Sequence, residues 1–199
     1  ADPEGRAVGV HREIGFIFER EAETGVIVDL LSEGAVPLRV THNDTKLNNI
    51  MIDDATGEGI CVLDLDTVMP GSALYDFGDA IRFGASTAKE DESDLDRVSL
   101  DLALFIEFTR GYLSMAREFL NPIEIDNLAF SAKLMTLESG IRFLADYLDG
   151  DRYFRIDHPQ HNLQRARAQL KLVADLEEKM PVMEGIIQKI LSGDLEEGA

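Results

Sequence analysis

Val40-Thr41-His42-Asn43-Asp44-Thr45-Lys46-Leu47-Asn48-Asn49-Ile50-Met51-Ile52-Asp53 is the stretch on which the reading of this chain turns. Within it, His-x-Asp-x-Lys-x-x-Asn occupies residues 42–49, with an apolar, β-branched run on either side. That pattern predicts a strand, a polar loop and a second strand. A His, an Asp, a Lys and an Asn gathered in one short loop serve a fold poorly. They suit a site that holds a hydroxyl, a phosphate and a metal ion close together.

Moving outward, residues 49–53 and 60–65 are β-rich and are joined by Asp54-Ala55-Thr56-Gly57-Glu58-Gly59, which predicts a hairpin with a loop longer than the tightest turns. The hairpin ends in Leu63-Asp64-Leu65-Asp66. In an extended chain Asp64 and Asp66 share a face, and two carboxylates on one face call for a cation or a proton between them. Phosphoryl transfer from a nucleotide needs an oriented hydroxyl, neutralised phosphate charge, and a metal held by hard oxygen ligands. Asp44 can orient the hydroxyl and take its proton, a role typically worth about 10²–10⁴-fold in rate. Lys46 can meet the phosphoryl group, Asn49 can offer a carbonyl oxygen to the metal, and Asp64 is placed to be its main carboxylate ligand.

Composition narrows the partners. The chain has 199 residues, 45% of them hydrophobic, and a formal net charge of −19. It can bury a real core, and no apolar run approaches the roughly 20 residues of a membrane span. The negative charge argues against nucleic acid and anionic membranes, which are bound through Lys and Arg. A nucleotide remains open as a ligand, because a divalent ion inverts the local electrostatics. The single Cys61 excludes an intramolecular disulfide and a multi-cysteine metal site, and in Ile60-Cys61-Val62-Leu63 it reads as a small buried hydrophobe. The first residues show no secretory pattern, so the expected compartment is the cytoplasm. Without an initiator Met, the chain is expected to be a piece of a longer protein.

Elsewhere the periodicity is helical. Residues 1–9 read as a flexible lead-in, 10–21 as a helix, and 25–32 as a second helix capped by Thr24 and stopped at Gly34. Met69-Pro70-Gly71-Ser72 is a turn, 75–83 a helix, and 84–92 a mobile polar loop. In 100–120 one stripe (Leu102, Phe105, Ile106, Tyr112, Leu113, Ala116, Phe119) and a second (Leu104, Phe108, Met115) predict a helix buried on most sides. Asn121-Pro122 opens the next element, 129–148 is a helix, and a last amphipathic helix from His161 should be kinked or divided at Pro181. His11, His158 and His161 read as surface or helix-capping residues. The expected fold class is α+β, predominantly α, with one small β-hairpin. No glycine-rich phosphate loop precedes a helix.

Taken together, residues 42–49 resemble, position for position, the catalytic loop of the kinase-like phosphotransferases, and the hairpin ending in Asp64 resembles their metal-binding segment. Pro70-Gly71 through Asp76-Phe77-Gly78-Asp79 is closer to the aminoglycoside phosphotransferase and choline kinase superfamily than to protein kinases. Residues 39–49 and 62–71 resemble the N-acetylhexosamine 1-kinase branch, and the likeness extends through 136–142 to the last helix.

The resemblance implies a protein-kinase-like C-terminal lobe with Asp44 as catalytic base and Lys46 beside it. It implies Asn49 and Asp64 as Mg²⁺ ligands, and His42 and Asp76 as braces of the loop, so that Asp76-Phe77-Gly78 is not itself the metal motif. It places Arg142 and Tyr153 where substrate is bound, while packing and ion pairing also account for them. For Asp66, metal contact and turn capping both stay open. It implies ATP and Mg²⁺, and an N-terminal ATP-binding lobe that these residues do not contain, so no kinase activity is expected from the chain alone. The first expectation is a kinase acting on the anomeric hydroxyl of an N-acetylhexosamine. A choline-, homoserine- or aminoglycoside-type kinase is the alternative within enzymes, and a non-catalytic kinase-like binding protein the alternative outside them. Leu63 and Leu65 stand where a sulfatase needs Pro and Arg after its Cys, so the mucin-desulfatase activity named for some relatives is not supported.

Overall fold

A computed structural model describes residues 2–195. Two short helices, α1 (His11–Phe18) and α2 (Val26–Ser32), lead to four short strands: β1 (Arg39–Thr41), β2 (Ile50–Ile52), β3 (Gly59–Val62) and β4 (Met69–Gly71). Five helices follow: α3 (Ala73–Gly84), α4 (Leu102–Ala116), α5 (Pro122–Asp126), α6 (Leu128–Leu148) and α7 (His161–Ser192). The protein is mostly helical with a small β part.

That β part is two sheets rather than one hairpin. β2 and β3 pair antiparallel, Ile50 opposite Val62, as the apolar runs around 54–59 predict. β1 does not join them: it pairs antiparallel with β4, Val40 opposite Pro70. The polar loop therefore precedes the hairpin and is closed off at its base by the β1–β4 ribbon.

The core lies where α3, α6 and α7 pack together. Phe77, Phe105 and Leu113 are fully buried there with Leu128, Leu172 and Leu176. Phe77 meets Phe105, Phe108 and Tyr112 with ring centroids 5.0–6.5 Å apart, an arrangement worth about 0.5–1.5 kcal/mol per pair beyond area burial. Closeness of α3 and α6 requires Gly78, since a Cβ there would fall on the Ser131 carbonyl. Asn121 and Glu124 form a capping box, with Pro122 at the first position of α5.

Several expectations are overturned. Residues 6–9 form a 3-10 turn rather than a free lead-in, because Arg6 pairs with Asp151 and donates to the Tyr147 carbonyl. Thr24 does not cap α2; its hydroxyl bonds back to the Glu21 carbonyl. The segment after α3 is tied down by Glu90 pairing with Arg82 and by Thr87 bonding across to Ser99. On α4 only the first stripe is buried: Leu104, Phe108 and Met115 are exposed, as is Phe119 beyond the helix. Helix α7 runs unbroken through Pro181, because Leu176 on one side and Met183, Ile186 and Ile187 on the other are all buried. That packing outweighs a proline cost of about 3 kcal/mol. Cys61 is exposed, not buried. His161 is buried and accepts the Asp157 backbone N–H at the start of α7.

Candidate active site

The first half of the 42–49 loop is held from outside it, by α3. The Asp76 carboxylate, in the first turn of α3, accepts the backbone N–H of His42 at 2.7 Å and of Asn43 at 2.8 Å. One helical turn on, Asp79 accepts the Thr45 N–H at 3.1 Å, and Thr45 Oγ1 donates to the Asp76 carbonyl. Both carboxylates point to the loop because residues three apart on a helix share a face. Ser72, the N-cap of α3, starts the helix where this is possible by accepting the Leu74 N–H. Asp79 is itself paired with Arg82 at 2.8 Å, and Arg82 with Glu90 at 2.8 Å. Asp79 was not singled out from sequence as a partner of the loop. Its three-residue spacing from Asp76 was the available signal.

His42 joins the loop to the hairpin. Its Nε2 lies 2.8 Å from the Leu63 carbonyl, which can only accept, so Nε2 carries the proton. Nδ1 is buried without a partner. The Thr67 hydroxyl donates to the His42 carbonyl at 2.6 Å.

These contacts set Asp44 at the open edge of the loop, after Asn43 at φ 63°. Lys46 Nζ and Asn49 Nδ2 both donate to Asp44 Oδ2 at 2.9 Å, and Asn49 Nδ2 also donates to the Asp44 carbonyl. Partial burial raises the Asp44 pKa, but the hydrogen bonds from Lys46 and Asn49 and the Lys46 charge outweigh it, and the carboxyl sits below its ordinary value. The bond to Asp44 correspondingly raises Lys46. Asp44 is a carboxylate at neutral pH, with Oδ2 occupied and Oδ1 open.

Asp64 approaches through the backbone. Leu63 N–H donates to the Asn49 carbonyl at 2.7 Å, so Asp64 follows directly from a residue bonded to Asn49. Asp64 adopts the left-handed conformation (φ 59°), and Asp66 lies in a 3-10 turn (Leu65–Thr67). The two do not alternate along a strand as an extended chain would require. The turn nonetheless brings them together: a hydrogen bond shared with Asp66 and repulsion from its charge push the exposed Asp64 carboxyl up.

This donor set fits a hydrated divalent ion. Asn49 spends its amide N–H groups on Asp44, leaving its oxygen free, and the Asp64–Asp66 repulsion is the kind a cation relieves. Among the described residues no group of three or more His, Cys, Asp or Glu is arranged to hold a metal unaided. Mg²⁺ does not demand one, since it is commonly held by one or two carboxylates plus substrate phosphates.

Beside the loop, a cavity of about 380 Å³ is bounded by Asn43 and Asp79, by Tyr75, and by Leu134, Met135 and Glu138 of α6. Burial raises the Glu138 pKa against the pull of Arg142. Arg142, one helical turn on, has Nε 3.6 Å from Glu138, and its guanidinium lies 5.7 Å from the ring centroid of Tyr153, which is exposed. Arg142 and Tyr153 thus meet outside this cavity, where they line a separate recess with Asp146, Asp149 and Phe154. Glu138 and Tyr75 were not singled out from sequence as site residues, since neither lies in the motif.

Among the described residues no helix is long and apolar enough to cross a membrane. A family model described as "Phosphotransferase enzyme family" (APH) matches residues 5–113, which takes in the 42–49 loop, the hairpin, α3 and most of α4. That is more than half of the 199 residues, and the chain belongs to the APH phosphotransferase family.

Proposed function

We propose that the chain is the C-terminal, substrate-binding lobe of an ATP- and Mg²⁺-dependent small-molecule kinase, acting on the anomeric hydroxyl of an N-acetylhexosamine. The observation that carries this reading is the Asp44 carboxylate, with Lys46 and Asn49 on one oxygen and the other open. In this reading Oδ1 receives the acceptor hydroxyl. The depressed pKa suits a group that orients the hydroxyl and takes its proton late, as a loose phosphoryl transition state allows. Lys46 lies within reach of the transferred group. Asn49 and Asp64 would hold Mg²⁺, with Asp66 behind them; the ion would supply charge neutralisation on the phosphates. His42, Asp76 and Asp79 keep the loop in shape.

The cavity between Asn43 and Glu138 is the natural seat for the acceptor, while Arg142 and Tyr153 line a separate recess one helical turn beyond Glu138. Its carboxylates, Asp79 and Glu138, equally favour a second reading in which the acceptor is a cationic alcohol of the choline, homoserine or aminoglycoside kind. A scaffold without catalysis has no use for Asp44, Lys46, Asn49 and Asp64 together.

The lobe reading is supported by the hairpin. All residues of β2 and β3 are exposed, including Ile50, Met51 and Ile52 in succession, so both faces of the sheet are open. An isolated two-stranded hairpin is marginally stable in water, and an apolar surface of this kind marks a face that something covers. The proposed cover is the nucleotide-binding lobe. The 199-residue chain alone is therefore expected to lack kinase activity, and robust ATP-dependent phosphorylation by it would refute the lobe assignment.

A thermal-shift panel on the protein carrying both lobes tests the rest. Mg²⁺-ATP with an N-acetylhexosamine should raise the melting temperature beyond either alone, and Asp64→Ala should lose the Mg²⁺ dependence. A response to amino alcohols only would favour the second reading. No response to Mg²⁺-ATP would reject both.

A further inference from the structure

The chain carries nineteen Lys and Arg against thirty-eight Asp and Glu, yet one groove collects three cations around a single acid. Arg12 on α1 faces Arg167 and Lys171 on α7, with Glu13 beside them. Glu13 pairs with Arg167 at 2.5 Å. Among the described residues, Arg12 and Lys171 form no ion pair. Lys171 is half-buried, and Asp175, the acid one turn further along α7, already receives the Leu100 N–H and Lys179. Arg167 and Lys171 are like charges four residues apart on one helix, a spacing that destabilises the helix unless something offsets it.

Below the cations the groove is apolar. Phe16 of α1 and Leu170 and Ala174 of α7 line it with Leu95, and this open groove holds about 310 Å³. That is near the lower bound of small-molecule sites, roughly 300–1,000 Å³. Neither part is explained by the other. A solvated cationic face needs no apolar floor, and a core-packing contact needs no unpaired half-buried Lys.

We infer that this groove is a second binding site, for a small amphipathic anion: a carboxylate or phosphate monoester on a short apolar chain. The tail lies on Phe16, Leu170 and Ala174, and the head sits between Arg12 and Lys171 with Arg167 behind. Glu13 already offsets Arg167, and the ligand then offsets Lys171, its like-charged neighbour on α7. The inference stands apart from the kinase reading, since the groove lies between α1 and α7 and shares no residue with the 42–49 loop or its cavity.

Octanoate and octyl phosphate are suitable probes, titrated by calorimetry against the 199-residue chain, with acetate and octylammonium as controls. Saturable, salt-sensitive binding of at least one anionic probe is expected, with neither control competing. Arg12→Gln with Lys171→Gln should weaken it roughly tenfold or more, the loss of one or two charge-assisted contacts. Arg12 is exposed, so Arg12→Gln alone is a second variant that leaves the fold intact, and a several-fold loss is expected there too. Three results would overturn the assignment: no saturable binding of either probe at millimolar concentration, binding unchanged in both variants, or acetate or octylammonium binding as well as the amphipathic anions. Unchanged binding would place the probe on the open apolar hairpin instead.

Discussion

Asp76 and Asn43, 33 residues apart, are joined by a 2.8 Å hydrogen bond from the Asn43 backbone to the Asp76 carboxylate, and the same carboxylate takes the His42 N–H. Bonds to a charged acceptor are each worth about 1.5–3 kcal/mol. Asp76→Ala should therefore destabilise the protein by roughly 2–4 kcal/mol, and Asp76→Asn by less. The specific sign is hydrogen exchange: the His42 and Asn43 amides should lose protection before the amides of α6 do. Unchanged protection there would contradict the bracing role.

Arg39 pairs with Glu124 at 2.6 Å, and the Glu124 side chain is fully buried. Removing one partner of a buried pair typically costs about 3–5 kcal/mol, because the other charge is stranded. Arg39→Ala should lower the urea midpoint accordingly, and adding Glu124→Gln should recover part of the loss. Additive losses would show that the pair is not coupled.

Gly78→Ala should destabilise by at least about 1–3 kcal/mol, the cost of overpacking. The new methyl meets the Ser131 backbone, which cannot swing aside as a flexible side chain can. A wild-type melting temperature would mean that α3 and α6 can move apart freely.

The pH dependence should not be monotonic. Asp64 and Glu138 have raised folded pKa values, from the hydrogen bond with Asp66 in the first case and burial in the second. Such groups favour the folded state as they take up protons, so stability should rise as pH falls from neutral toward the ordinary carboxylate range. In Asp44 and Glu177, burial raises the pKa but hydrogen bonds from Lys46 and Asn49, and from Arg20, overcome it, so both lie low in the folded state. Their contribution is present above the unfolded value near 4 and is lost as pH falls through the folded values. Melting curves from pH 7 to 3 should therefore show a maximum on the acidic side. In Asp64→Asn the rise should shrink while the later fall remains. A steady fall from pH 7 downward would contradict these assignments.

Much of this was legible in the sequence because the deciding patterns are local. The hairpin follows from apolar runs around a glycine-containing loop, and the long helices from their 3.6-residue stripes. Distant pairings were not legible: Val40 opposite Pro70 depends on the whole hairpin folding back between them. Stripes also say nothing about which apolar face is covered. Leu104, Phe108 and Met115 recur at helical spacing and remain exposed, as does Cys61 within a run of β-formers. Pro181 stays inside α7 because buried residues on both flanks outweigh a local rule. At the site, the 42–49 motif was visible, whereas the Asp79 contact to Thr45 and the Glu138 wall of the cavity appear only once α3 and α6 are packed.

The most direct test is phosphoryl transfer itself, followed by ³¹P NMR in the protein that carries this chain together with its nucleotide-binding lobe. Mg²⁺-dependent conversion of an N-acetylhexosamine to its 1-phosphate is predicted, with Asp44→Asn lowering kcat by about 10²–10⁴-fold while Mg²⁺-ATP binding persists. Turnover that survives Asp44→Asn at the wild-type rate, or that needs no divalent ion, would contradict the account.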